Sequence, residues 1–434
     1  MNIKKRISGL VVLTCVFLCF FQVSYAQVND SLKYKLKNIS EIKTFKVLLS
    51  GTFKEKYEVF FEQPVDHKNP AGETFYQRVF IMHYDYNAPT IIVTEGYSGD
   101  YATNPVYREE LARILKANIV FVEHRYFSKS VPESGNWKFL NAENEAADLH
   151  LIREEFGKIY KGKWIATGIS KGGQNSLIYT YYYPSDMAFT VAYVAPVCRA
   201  VEDGRHEKFI AEIAGNPEER EKVLNFQKEV LKRRATLMPK FDSLCKAENY
   251  MFRLPQDEIY DYSILEYSFS FWQWGHKAQQ IPQATASDNA VFKYWMNISG
   301  PEYFVRDSPV TPFFVQAAKE LGYYGYDTRP FKSLLKIKSA KGYLAELFLP
   351  EGLKIKFDKH LYKKLTRFVK ESNNRIMFIY GENDPWTSAR INEQNRKNIV
   401  FFIDPHGSHR SRISTMPESI RKEAESLLIK WLSE

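Results

Sequence analysis

"WIATGISKGGQNSLIYTYYYP", Trp164 to Pro184, sets a short apolar run, a serine with a glycine two residues to either side, and about three helical turns of residues before a proline. It reads as strand, tight turn and helix. In that setting Gly168, Ser170 and Gly172 form a G-x-S-x-G whose small residues let a strained turn lift the serine hydroxyl over a sheet, which makes Ser170 a candidate nucleophile. The pattern alone is weak, since chance yields it in about one chain in ten of this size. Its weight depends on the flanking strand and helix and on a base and an acid elsewhere in the chain.

Upstream, the alternation from Phe53 to His83 predicts two strands around a Pro/Asn/Gly turn. "PTIIVTEGYSGD" predicts a buried strand entering a glycine-containing loop, and "NPVYREELARILKANIVFVEHRYFSKS" a helix and a further buried strand. Residues 142–156 are acidic and helix-favouring, and they lead into the strand before Ser170. Strand alternating with helix predicts a mostly parallel sheet. Downstream of "AFTVAYVAPVC" the pattern changes. Residues 204–370 are helical, charged and rich in Trp and Tyr, and they read as a helical cap inserted between a first core part, 27–203, and a second, 371–434. The sheet resumes at "NRIMFIYGENDPW" and "NIVFFIDPHGSHRSR", and a helix from Pro417 to Leu432 closes the chain.

Each of these two late strands carries a chemical group in the loop at its C-terminal end, where open parallel sheets place their sites. Asp384 follows Gly381-Glu382-Asn383, and His409 follows Pro405-His406-Gly407-Ser408. The order serine, aspartate, histidine is that of α/β-hydrolases. A serine hydroxyl attacks only when an imidazole takes its proton, and a carboxylate fixes the imidazole's tautomer and stabilises the imidazolium. His406 is the rival base and Glu382 the rival acid; the positions after the Gly-Ser and glycine turns favour His409 and Asp384. Acyl transfer also needs donors for the oxyanion, expected from the backbone N–H of Lys171 and of Tyr97 or Gly96. The Lys171 side chain reads as a solvated lysine at the start of a helix.

Lys4, Lys5 and Arg6, an apolar run from Leu10 to Phe21 and small residues before Gln27 read as a signal peptide over residues 1–26. An exported protein, periplasmic or extracellular, is expected, without stable membrane insertion. The formal net charge is +9, with three positive charges in the leader, but the remaining basic runs are interrupted and no recognition motif accompanies them, so nucleic acid is not an expected partner. No cysteine or histidine spacing suits a metal, and none is expected. Outside the leader only Cys198 and Cys245 remain, open to a disulfide or to two buried thiols.

"FEQPVDHKNPAGETFYQRVF", "TEGYSGD", "VEHRYF" and "GISKGG" resemble the secreted bacterial prolyl tri/tetrapeptidyl aminopeptidases and, more distantly, the lysosomal prolyl carboxypeptidase and dipeptidyl peptidase group. The resemblance spans most of the chain after the leader and is densest from Phe60 to Gly173 and around Asp384 and His409. It implies an α/β-hydrolase with a helical cap and no cofactor, a peptide substrate cut after proline near its free N-terminus, and Ser170, Asp384 and His409 as catalytic residues. The lysosomal relatives carry a different pair around the serine and more cysteines, so their substrate preference does not transfer. An esterase or acyltransferase using the same three residues is the alternative.

An exopeptidase needs an anion for the substrate ammonium. Glu95, beside the oxyanion loop, is a candidate for that role or for turn support. Glu123 is another, with an ion pair to Arg125, two residues along the same strand face, as its structural alternative. Trp272 and Trp274, in "FWQWGH", are candidates for the wall of an apolar proline pocket, although an aromatic cluster on a helix also reads as plain core.

Overall fold

The computed structural model describes residues 31–392 and 396–434, so the expected leader lies outside the described residues. Nine strands make one sheet: β1 (Ile42–Val47), β2 (Glu55–Pro64), β3 (Thr74–His83), β4 (Thr90–Thr94), β5 (Asn118–Val122), β6 (Trp164–Ile169), β7 (Phe189–Tyr193), β8 (Ile376–Gly381) and β9 (Ile399–Asp404). Their order across the sheet is β1-β2-β3-β5-β4-β6-β7-β8-β9. The first three are antiparallel, β3 is antiparallel to β5, and from β5 to β9 every pair is parallel. Every residue of β4, β5, β7 and β8 is buried, as a parallel sheet covered on both faces requires. Strand β1 escaped the sequence reading because it lies at the edge with no buried residue, leaving no apolar pattern to find.

Alternation along the strands sends side chains to two separate layers. In β4, Ile92 joins the layer of α1 (Leu32–Lys37), while Ile91 and Val93 join that of α2 (Glu110–Leu115). The first layer also holds Leu149 and Ile152 of α3 (Ala142–Gly157) and Leu177 and Ile178 of α4 (Lys171–Tyr182), the helix leaving the serine. Between β7 and β8 the described residues contain helices and no strand: α5 (Arg205–Glu212), α6 (Pro217–Lys232), α7 (Arg234–Ala247), α8 (Gln256–Trp274), α9 (Asp288–Ser299), α10 (Thr311–Gln316), α11 (Tyr343–Phe348) and α12 (His360–Glu371). Most of them share a third core, containing Phe226, Phe241, Tyr260, Ile264 and Trp295. Helix α12 does not. Its Leu361, Leu365 and Val369 pack with the sheet layer, so the change of core falls before α12, one helix earlier than the boundary expected at residue 370. The last helix, α13 (Glu418–Ser433), joins the layer of α2 through Leu428 and Trp431.

Helix α8 runs through the middle of the third core and is buried on nearly all sides, the position a helix with apolar residues all round must take. Gly275 stops it in the left-handed conformation, φ +71°. Cys198 and Cys245 are two buried free thiols.

Candidate active site

Ser170 occupies the corner between β6 and α4 with φ +60° and ψ −122°, a conformation that costs a non-glycine residue about 1–3 kcal/mol. Packing from several directions holds it there. The Ser170 N–H donates to the Tyr193 carbonyl at 2.8 Å, and the Gln174 N–H donates to the Ser170 carbonyl at 2.9 Å. The glycines are required by contact. A Cβ at Gly168 would meet the Gly172 carbonyl oxygen at 2.2 Å, one at Gly172 the Thr94 oxygen at 2.5 Å, and one at Gly173 the Tyr193 oxygen at 2.6 Å. All three obstacles are backbone and cannot swing away. Gly172→Ala should therefore cost about 1–3 kcal/mol, by the general penalty for overpacking, read as a lower urea midpoint with unchanged slope.

The loops after β8 and β9 abut at Gly381, where a Cβ would stand 2.3 Å from the Ser408 carbonyl oxygen, and the Asn383 N–H donates to the Gly407 carbonyl at 2.8 Å. This contact brings Asp384 and His409 together. Asp384 is fully buried; its Oδ2 lies 2.7 Å from His409 Nδ1, and its Oδ1 accepts the Trp386 N–H at 3.1 Å. With Nδ1 committed to the carboxylate, Nε2 is the nitrogen left to act as a base. The His409 N–H donates to the Gln273 carbonyl at the end of α8, and Trp274 stands edge-on to the imidazole at 5.9 Å. His409 and Ser170 line one cavity of about 730 Å³. His406 does not reach it. Its side chain is 88% exposed and lies beside Glu382, so the rival base and rival acid face solvent together.

At the oxyanion loop the Glu95 carboxylate draws on the backbone N–H groups of both Gly96 and Tyr97. The Tyr97 N–H already donates to Glu95 Oε1 at 3.1 Å, so that amide is engaged. Gly96 lies against the start of α4, where a Cβ would come within 2.8 Å of the Gly172 nitrogen. Glu95 lines the cavity, but it also accepts from the Tyr101 hydroxyl, and burial pushes its carboxyl up against these hydrogen bonds. These contacts support the turn, and the carboxyl also stands on the cavity.

Three expectations need correction. The Lys171 side chain is buried rather than solvated, because the first turn of α4 is itself interior. Its Nζ lies 5.9 Å over the Phe127 ring without a hydrogen-bond partner, and desolvation pulls the ammonium down to about 8, opposed by Glu145, Glu95 and Glu320. Glu123 is neither on the cavity nor paired with Arg125. It is fully buried, binds Arg78, and accepts from the Gly99 N–H and the Ser130 hydroxyl, while Arg125 binds Asp148. Strand β5 ends at Val122, so strand alternation no longer applies to residues 123 and 125. Trp272 points away from the site into a second cavity of about 370 Å³, whereas Trp274 lines the first. Two residues turn a helix by about 200°, so the two indoles could not share a wall.

Sequence reading missed the far wall of the site. Phe313, Phe314, Tyr323, Tyr324 and Trp386 make it aromatic, and Glu266 adds a single buried carboxylate. That glutamate had a signal, being the lone charge within "YSILEYSFSFWQW".

A mostly parallel sheet, a serine on a strained strand-to-helix turn, and an aspartate and histidine from the ends of the last two strands define an α/β-hydrolase. Residues 40–433 match the family described as PS-10 peptidase S37, and the chain belongs to that family. It is 30% identical over 381 residues to the prolyl tri/tetrapeptidyl aminopeptidase of Streptomyces mobaraensis, covering 86% of this chain and 79% of that protein. Over 160 residues, 33% of each chain, it is 32% identical to the lysosomal Pro-X carboxypeptidase of Mus musculus. Among solved structures, a proline iminopeptidase from Mycobacterium smegmatis superposes with a TM-score of 0.42 at 12% identity, covering 90% of this chain and 99% of that one. The protein is a serine peptidase.

Proposed function

We propose that this peptidase is exported and releases short peptides, tri- or tetrapeptides, from the free N-terminus of its substrate by cutting after proline. The observation that carries the chemistry is the 2.7 Å pair of His409 with buried Asp384, together with the single cavity that His409 and Ser170 line beneath the helices that join β7 to β8. Ser170 Oγ attacks the scissile carbonyl as His409 Nε2 takes its proton. The Lys171 N–H, at the start of α4, donates to the oxyanion, with Gly96 beside it. His409 then protonates the leaving amine, and water repeats the sequence on the acyl-enzyme.

A cavity of about 730 Å³ is of the size that encloses a small ligand, which supports a short peptide segment entering by its end. Its aromatic wall offers a proline ring apolar contact without a hydrogen bond to lose. The S. mobaraensis relative's name supports the same cleavage, and the leader-like N-terminus supports export.

Mass spectrometry of products from a mixed peptide library tests the reading. Released tri- and tetrapeptides ending in proline are expected, and replacing that proline by alanine should lower kcat/KM by about 10-fold or more, as an apolar slot loses contact area. Internal cleavage, release from the C-terminus, or activity confined to p-nitrophenyl esters would overturn it.

A further inference from the structure

Helix α8 divides the two cavities described above. Leu265, Ser268, Phe269 and Trp272 face the second one, while Glu266, Ser270, Gln273 and Trp274, at i, i+4, i+7 and i+8, face the site of Ser170 and His409. The only charged residue in that active-site stripe is Glu266, 4% exposed.

Among the described residues, every hydrogen bond to its carboxylate comes from a neutral hydroxyl. Ser270 donates to Oε1 at 2.6 Å, and Tyr324 and Tyr326 donate to Oε2 at 2.8 and 2.7 Å. An ionised carboxylate offers about four lone-pair sites, and three are occupied here. A buried anion held by hydroxyls alone lacks a countercharge, and a buried charge without one is costly. The other acidic residues on the cavity are placed differently. Glu95 takes the Tyr97 amide and the Tyr101 hydroxyl and shares the field of buried Lys171, whereas Glu302 is exposed to water.

We infer that Glu266 is the anchor for the α-ammonium of the substrate, the residue that measures how far Ser170 lies from the peptide's N-terminus. The inference rests on the exopeptidase reading above. The ammonium supplies the missing positive charge and takes the remaining lone pair, and the tyrosine and serine hydroxyls hold the carboxylate in place before the substrate arrives. Placing the anchor on α8, whose last turn also contacts His409 through Gln273, ties the binding of the N-terminus to the same rigid element that borders the base.

The test compares a proline-ending tripeptide p-nitroanilide with its N-acetylated form, on the wild type and on Glu266→Gln. The wild type should favour the free peptide by at least ~10-fold in kcat/KM, the scale of one charged hydrogen bond. In Glu266→Gln the ratio should fall towards one, through KM for the free peptide. The ratio is internal to each variant, so partial loss of folded enzyme cancels.

A second readout needs no variant. Burial pushes the Glu266 carboxyl up to about 7, while a peptide α-amino group titrates near ~8. The groups that face or back the carboxylate stay neutral in that window: Ser270 on its own helix, Tyr324 and Tyr326 against it, Tyr303 and Tyr323 behind, and His206, beside Tyr324 and pulled down by burial to about 3. The wild-type ratio should therefore peak between the two values and fade on acidification. If the wild type prefers the free peptide but Glu266→Gln keeps the full ratio, Glu266 is not the anchor and the exopeptidase reading stands. Equal rates on free and acetylated peptides in the wild type would overturn the exopeptidase reading itself.

Discussion

Ser170→Ala lowers kcat by at least ~10³-fold and leaves the melting temperature where it was. In the proposed mechanism the hydroxyl is the attacking atom, and whatever rate survives comes from the oxyanion donors and from substrate binding. Stability should not follow activity, because alanine keeps the Cβ and inherits the same strained backbone, φ +60°. Ser170→Gly separates the two effects. It removes the nucleophile as completely, yet glycine accepts positive φ without strain. Relief of about 1–3 kcal/mol should outweigh the roughly 0.5–1 kcal/mol of extra chain entropy that glycine loses on folding. An inactive and slightly more stable Ser170→Gly protein is the expected result. Residual turnover within about 10-fold of wild type in Ser170→Ala would sink the acyl-enzyme mechanism.

His409→Ala matches the Ser170→Ala loss, at least ~10³-fold in kcat, and combining the two costs little more, because members of such a unit do not contribute additively. The change also strands Asp384, fully buried, with the Trp386 N–H as the one hydrogen-bond donor left to its side chain among the described residues, so the melting temperature falls here while it holds in Ser170→Ala. Kinetics therefore have to be read on the folded fraction. His406→Ala is the control: its ring is 88% exposed and lies beside Glu382, so activity should stay within about 3-fold of wild type, as for a surface change. If His406→Ala proved the more damaging, the base would be misassigned.

Both predictions use residues legible in the chain alone. Ser170, Asp384 and His409 each sit where a short apolar strand stops and a glycine turn begins, and that punctuation is local. The same locality explains the buried strands of the parallel sheet, whose continuous apolar runs follow from being covered on both faces. Strand β1 was silent because an exposed edge imposes no such pattern.

Most of the corrections concern what a side chain meets in the folded molecule. Glu123 reads as an anion for the substrate ammonium or as the partner of Arg125 two residues away, but its cation is Arg78, 45 residues earlier on a neighbouring strand. Lys171 was given to solvent because lysines usually are, yet its helix begins inside the molecule. Trp272 and Trp274 read as one cluster until the helix turned them into different cavities. Glu266 drew no notice until tyrosines 58 and 60 residues further along closed around it.

The sequence by itself determined the buried strands of the sheet, their alternation with helices, the serine turn and the order of the three chemical groups, because hydrophobic periodicity and turn chemistry act over a few residues. Only the tertiary structure decided which charges meet, which side of α8 faces the nucleophile, and which carboxylate is left without a cation. Those outcomes depend on burial and distance between segments far apart in the chain. Desolvation, which makes an unpaired charge consequential, exists only once the core has closed around it.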